Sequence, residues 1–279
     1  MQLSMQHMQN KYNVIPSLIK WTGSKRAIAN TIADYAPPHK RYIEPFLGGG
    51  SLVYLMATQK TIASDIYEPL IQLWLLIRDK PQDVVSDYTR QWQLLQSNIP
   101  DYFYEVRERF NYNPNPLDLN FLTRTCVNGI VRFNRDGAFN TSFHLSRKGM
   151  NPQRFSSNVN RWHPIIQNVE FQCADYQIIL SDTNENDFVY LDPPYAGSHM
   201  IYTDNLAIDR FFCQLEELNN RNVKWALSFD GYRGDMTAID KIPRELYRRH
   251  SLIKSGNSPV DRVMNHTIKD VYESLYLNY

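Results

Sequence analysis

Short runs of strand-forming residues, each followed by a helix-sized segment, constrain this chain more than any other feature. The runs are RYIEPF (41–46), TIASDI (61–66), VEFQCADY (169–176), DFVYLD (187–192), VKWALSF (223–229) and ESLYLNY (273–279). They are rich in β-branched and aromatic residues, which suit a pleated, buried surface. Strands alternating with helices imply an α/β fold with a doubly wound, mostly parallel sheet. RELYRRHSLI (244–253) is the candidate for a seventh, penultimate strand. SKRAIANTIADYA (24–36) predicts a helix with Ser24 as its cap and Pro37 and Pro38 closing it. GSLVYLMATQK predicts another, entered from a glycine-rich turn.

The alternation is uneven. Strand, helix and strand occupy 41–66, but the next convincing strand waits until about 169. The expected organisation is a core of residues 1–66 and 165–279 with an inserted, mainly helical domain over 67–164. LIQLWLLIRDK and VVSDYTRQWQLLQS supply helical patterns there, and NYNPNP breaks them. Beyond the breaker, GIVRFNRDGAFNTSFH (129–144) reads as a β-hairpin turning at Arg135-Asp136-Gly137. The hairpin sits in the most basic part of the chain. Residues 121–165 carry Arg124, Arg132, Arg135, Arg147, Lys148, Arg154 and Arg161 against the single acid Asp136, in a protein of net charge +1. A solvated basic face and a polyanion partner explain that asymmetry equally well on charge alone.

The chain of 279 residues, 43% hydrophobic and 21% charged, can bury a substantial core. It contains no apolar run near the roughly 20 residues that span a bilayer. The opening MQLSMQHMQNKYN lacks the apolar centre of a secretion signal. Cys126, Cys173 and Cys213 have neither disulfide nor metal spacing, and each is expected as a buried, reduced thiol in a cytoplasmic protein.

Ligands of open α/β sheets sit beyond the carboxyl ends of the strands, and three segments lie there. EPFLGGGS (44–51) holds Gly48, Gly49 and Gly50, which let the backbone approach a ligand closely. No Gly-Lys-Ser/Thr follows, so it is not a phosphate-binding P-loop. Asp65 ends the second strand about 20 residues later, where an acid suits paired ribose hydroxyls or, equally, a helix cap. DPPY (192–195) ends the fourth. Its prolines stop the ladder and hold Asp192 and the Pro193 carbonyl in a fixed relation, with Pro194 and the Tyr195 ring beyond. Two acceptors side by side suit an amino group, and an aromatic face suits a flat base.

With these segments together, the chain resembles the Dam-type (alpha-group) adenine-N6-specific DNA methyltransferases over nearly its whole length. LIKWTGSKR (18–26), EPFLGGGS, SDIYEPLI, TCVNGIVRFNRDGAFNTSFH, DPPY and the closing ESLYLNY occur in that family's order. The resemblance implies a seven-stranded S-adenosylmethionine-dependent methyltransferase sheet and S-adenosylmethionine as methyl donor, with no metal. Trp21 and Lys25 would line the cofactor site, Phe46, Gly48 and Gly50 would pack along it, and Asp65 would hold the ribose. Asp175 and Tyr176 would meet the cofactor adenine. Asp192, Pro193, Pro194 and Tyr195 would hold a flipped adenine. Asn128, Arg132, Asn134, Arg135, Ser142, Arg147 and Lys148 would contact DNA, with Arg132 at a base-reading position. Val127 stands where an aromatic often precedes the asparagine. Ser142 stands where GATC-specific relatives commonly carry proline, so no GATC target is carried over. The implied setting is a prokaryotic or phage-encoded cytoplasmic monomer acting on double-stranded DNA, with a cognate restriction endonuclease as a candidate partner.

Three other functions fit parts of the chain. An adenine-N6 RNA methyltransferase would use the same cofactor and tetrad. A nicotinamide-dependent oxidoreductase would use a similar sheet, but GxGxxG is missing. A DNA-binding protein without catalysis would keep the basic hairpin but would not need the tetrad.

Overall fold

A computed structural model describes residues 15–57, 60–194, 207–233, 236–238, 242–257 and 270–279. Among the described residues, eight strands form one sheet: β1 (Arg41–Glu44), β2 (Thr61–Asp65), β3 (Val169–Cys173), β4 (Asp187–Leu191), β5 (Lys224–Arg233), β6 (Met236–Ala238), β7 (Arg249–Asn257) and β8 (Asp270–Leu277). The main path runs β3-β2-β1-β4-β5-β8-β7. The first five are mutually parallel, and β8 runs antiparallel between β5 and β7. This is the expected seven-stranded, mostly parallel sheet. The short β6 is an addition, paired antiparallel to the end of β5.

Central strands of such a sheet are covered on both faces and read as continuous apolar runs. All five residues of β4 are buried. Tyr42, Phe188 and Tyr190 join one core cluster, while Ile43, Val189 and Leu191 join another. Phe211, Leu215 and Leu218 of the helix Ile208–Asn220 seal the second face. At the amino ends of β1 and β4, Arg41 grips the buried Asp187 with two bonds, Nε to Oδ1 at 3.0 Å and Nη2 to Oδ2 at 2.8 Å. Arg41 and Asp187 are also register partners, so this bidentate contact pins the two central strands together.

The helices Glu68–Asp79, Pro81–Ser97, Asp101–Tyr112, Pro116–Thr125 and Pro152–Trp162 fill the long gap between β2 and β3. Every residue of 118–125 is buried, so this helix is the hub of the layer. Its entry is set by Asn115, whose side chain accepts from the Asp118 amide at 2.9 Å, and Arg109 pairs with Asp118. Among the described residues, no helix is long and apolar enough to cross a membrane.

Three expectations change. The helix expected over 24–36 spans only Ala29–Asp34, and Ser24 does not cap it. Ser24 Oγ lies 2.8 Å from Ser51 Oγ instead, because the preceding stretch turns inward to bury Lys25. The segment 129–144 follows a hairpin path without named strands: the isolated bridge Phe133–Phe139 is flanked by the Asn134 amide on the Ala138 carbonyl at 2.9 Å and the Asn140 amide on the Arg132 carbonyl at 3.0 Å, and a second bridge, Cys126–Phe143, lies at its base. Side chains take backbone groups that face outward from the two arms. Thr22 Oγ1 bonds both the amide and the carbonyl of Val131, at 2.9 and 3.0 Å, and Asn111 does the same for Phe139, at 2.8 and 3.1 Å. Finally, only Cys126 is buried; Cys173 and Cys213 are exposed, and all three are free thiols.

Candidate active site

The strand order reverses between β1 and β4, and the carboxyl ends of these two strands open onto a cavity of about 290 Å³. Its wall includes Trp21, Lys25, Phe46, Gly48, Asp65, Asp175, Tyr176, Asp192, Pro193 and Pro194. Strand ends 147 residues apart in sequence, Glu44 and Leu191, thus meet at one switch point, where open α/β sheets bind ligands. Tyr195 lies outside the described residues.

The glycine loop after β1 is shaped by close contact. Gly48 has φ +49°, and a Cβ there would lie 2.8 Å from Trp21 Cδ1; Gly50 has φ +64°, and its Cβ would meet Trp74 at 2.9 Å. Only glycine fits both the left-handed backbone and the two indoles. Asp65 ties this loop to the end of β2. Its Oδ2 accepts from the Gly48 amide at 3.0 Å and its Oδ1 from the Tyr67 amide at 3.1 Å. Burial pushes the Asp65 carboxyl up to about 6, against the lowering effect of those amides. A buried carboxylate held this way gains from further hydroxyl donors. The opposite wall is aromatic: the Phe46 and Tyr176 ring centroids lie 5.3 Å apart, and both rings approach Phe211. Asp175 lines the cavity too, while its side chain caps the following helix by accepting from the Gln177 amide at 2.8 Å.

Asp192 sits at the cavity floor with Pro193 buried behind it. Lys25 Nζ lies 2.9 Å from Asp192 Oδ1 and donates to the Gly23 carbonyl at 3.0 Å. Next to them, Glu44 is wholly buried on β1 and accepts from the Tyr42 hydroxyl at 2.8 Å. Burial pushes the Glu44 carboxyl up to about 8, and the neighbouring Asp192 adds to the rise. The cavity floor is therefore a cluster of acids around one buried ammonium.

The basic segment separates into two populations. Asn128, Arg132, Asn134, Arg135, Ser142, Arg147 and Lys148 are all exposed, whereas Val131, Phe133, Phe139, Thr141 and Phe143 face inward. The alternation of a strand therefore survives here. Asn128 adopts φ 56°, an uncommon backbone for any residue but glycine. Arg132 Nε donates to Asn140 Oδ1 at 3.0 Å, which orients its fork outward. Asn134 is committed to the turn, its Oδ1 accepting from the amides of Asp136 and Ala138 at 3.0 and 2.8 Å. Arg124 does not belong to the basic surface. Its guanidinium is buried 4.4 Å over the Phe155 ring, and burial lowers its pKa to about 10.

Sequence reasoning passed over three residues that the fold brings in. Glu44 stands in the sequence as the opening residue of the glycine motif EPFLGGGS. Glu273, on β8, reaches within 3.9 Å of Lys25. Lys20 lies beside the basic segment, where burial and then Arg124, Arg147 and Arg154 lower its pKa. A charged residue inside an otherwise apolar or glycine-rich run was the available signal for each.

The model of the D12 class N6 adenine-specific DNA methyltransferases matches residues 21–255. The type II methyltransferase M.MjaIII of Methanocaldococcus jannaschii is 27% identical over 95% of this chain and 99% of that protein. The DNA adenine methylase of Serratia marcescens is 31% identical over 64% of this chain, and that of Vibrio cholerae 26% identical over the same share. These two matches span 67% and 65% of the respective proteins. With the matched span covering both the glycine loop and the DPP strand end, the chain belongs to the D12 class of N6 adenine-specific DNA methyltransferases.

Proposed function

We propose that the protein transfers a methyl group from S-adenosylmethionine to the exocyclic N6 of an adenine turned out of duplex DNA. The observation that carries this reading is the placement of Asp192 and Pro193 on the wall of the same cavity as the glycine loop and Asp65. S-adenosylmethionine supplies an electrophilic methyl group on a sulfonium when bound. The cavity fits it: Asp65 would accept from the ribose hydroxyls, and the Phe46–Tyr176 wall would pack on its adenine. The close-packed glycines let the chain run alongside the ligand.

The reacting amine is hidden inside a duplex, so the base must leave the stack at a cost of a few kcal/mol. Asp192 and the Pro193 carbonyl would accept the two amino hydrogens and hold the nitrogen with its lone pair toward the cofactor. Tyr195 would stack on the ring. Direct displacement needs no covalent enzyme intermediate, and alignment supplies much of the acceleration. The Asp192 carboxylate also offsets the positive charge that develops on N6.

The inserted layer, 67–164, would grip the DNA. Arg132, with its fork oriented by Asn140, would read a guanine edge in the major groove. Asn128, Arg135, Ser142, Arg147 and Lys148 supply further contacts from the same exposed segment, and Asn134 acts by shaping the turn that presents Arg135. Incubation with labelled S-adenosylmethionine and equal masses of plasmid DNA and ribosomal RNA tests the substrate class. Label enters the DNA and not the RNA; label confined to RNA would reverse the assignment.

A further inference from the structure

We propose that Lys25 is a positioning residue for the Asp192 carboxylate, anchored in turn by Glu273, rather than a ligand of the cofactor. This rests on the methyl-transfer reading above. Lys25 comes from the first motif of the chain and lines the cavity, which makes it look like a cofactor residue. Its ammonium points elsewhere. The side chain is 3% exposed, and among the described residues its Nζ meets Asp192 Oδ1 at 2.9 Å and the Gly23 carbonyl at 3.0 Å, with Glu273 Oε2 further off at 3.9 Å. The two short contacts aim the ammonium at the end of β4, and Glu273 adds an ion-pair contact from the other side.

The contact has two consequences. A charge-assisted bond to one oxygen fixes the rotation of the carboxylate, so the acceptor that meets the substrate amine is held at one angle. An opposite charge this close also keeps a carboxylate ionised to lower pH. The site around the pair is crowded with buried acidic groups. Burial first, with the Asp192 charge a lesser cause, raises the pKa of Glu44 and of the Tyr42 and Tyr190 hydroxyls. Lys25 sets a positive charge against Asp192 in these surroundings. Glu273 lies on the antiparallel strand β8, so the ammonium links the carboxyl end of β4 to the far half of the sheet.

The test measures kcat, the KM for S-adenosylmethionine and the pH–rate profile on unmethylated plasmid DNA, for the full chain and three variants. Lys25→Gln lowers kcat about 100-fold and changes the cofactor KM less than about threefold. It also moves the acid limb of kcat up by about one pH unit or more. Lys25→Arg keeps the charge and leaves the acid limb near that of the wild type. Glu273→Gln loosens the ammonium and lowers kcat by less than Lys25→Gln does, with the cofactor KM unchanged. A rise in cofactor KM for Lys25→Gln, with kcat and the acid limb unchanged, would overturn the inference and make Lys25 a cofactor residue. If Lys25→Gln does not fold by circular dichroism, the other two variants decide: a raised cofactor KM with kcat unchanged in both overturns the inference. A wild-type protein that labels no DNA would instead overturn the methyl-transfer reading beneath it.

Discussion

Asp192→Ala lowers the rate of methyl transfer by about a thousandfold while binding of DNA and of S-adenosylmethionine persists. An aromatic amino group is a poor nucleophile because its lone pair is delocalised into the ring. Two acceptors that bind its hydrogens favour a geometry in which that lone pair leaves conjugation, and one of the two is charged. Removing a single group that meets charge developing in the transition state typically costs a hundred- to a thousandfold. The loss of alignment adds to that. The substitution also removes the acid 2.9 Å from the buried Lys25 ammonium, with Glu273 at 3.9 Å the next among the described residues. Breaking a buried pair by removing one partner costs about 3–5 kcal/mol, so the melting temperature falls too. Asp192→Asn separates the effects: it retains one acceptor and much of the shape, and should lose rate with a smaller loss of stability. Single-turnover kinetics with saturating DNA and cofactor read the chemical step directly. A variant that transfers methyl groups at the wild-type rate contradicts the assigned role.

Asp65→Ala raises the dissociation constant for S-adenosylmethionine by about a hundredfold. The side chain does two things at once. Toward the cavity it offers acceptors for a diol; toward the protein it takes the amides of Gly48 and Tyr67. Hydrogen bonds to a charged group contribute about 1.5–3 kcal/mol each, and two lost ligand bonds of that size exceed a hundredfold in affinity. Asp65→Asn should be nearly as damaging, because an amide has one oxygen for two backbone donors and its NH2 group would face the other N–H. The raised pKa gives an independent check. With the carboxyl at about 6, the ionised form that accepts from both sides is lost as pH falls through that value. Calorimetric titration at pH 7.5 and 5.5 should show wild-type affinity falling at the lower pH, with the Asp65→Ala affinity nearly flat. A wild-type affinity independent of pH over this range would remove Asp65 from the binding account.

The features that could be read from sequence were those set by local pattern. Six strands were visible because central strands are apolar along their whole length, and DFVYL is buried at every position. The glycine loop, Asp65 and the DPP corner stood out because each breaks a regular element for a backbone or charge reason. Partners supplied by distant parts of the chain could not be read. Lys25 looked like a cofactor residue because nothing local shows that Asp192, 167 positions later, lies 2.9 Å away. The basic segment was over-counted for the same reason: Arg124 resembles its neighbours in sequence, yet the helix it occupies is the buried hub of its layer. The hairpin's outer edges could not be read either: Thr22 and Asn111, which bond the outward-facing groups of Val131 and Phe139, lie far from them in sequence.

The central claim is that an acid and a proline carbonyl at the end of β4 hold the amino group of a DNA adenine for methyl transfer. Single-molecule sequencing of DNA from cells expressing the wild-type chain or Asp192→Ala, in a host without adenine methylation, tests it most directly. N6-methyladenine is expected at one short recurring sequence in the first sample and none in the second. Methyl groups on cytosine, or adenine methylation that survives in the Asp192→Ala sample, would contradict it.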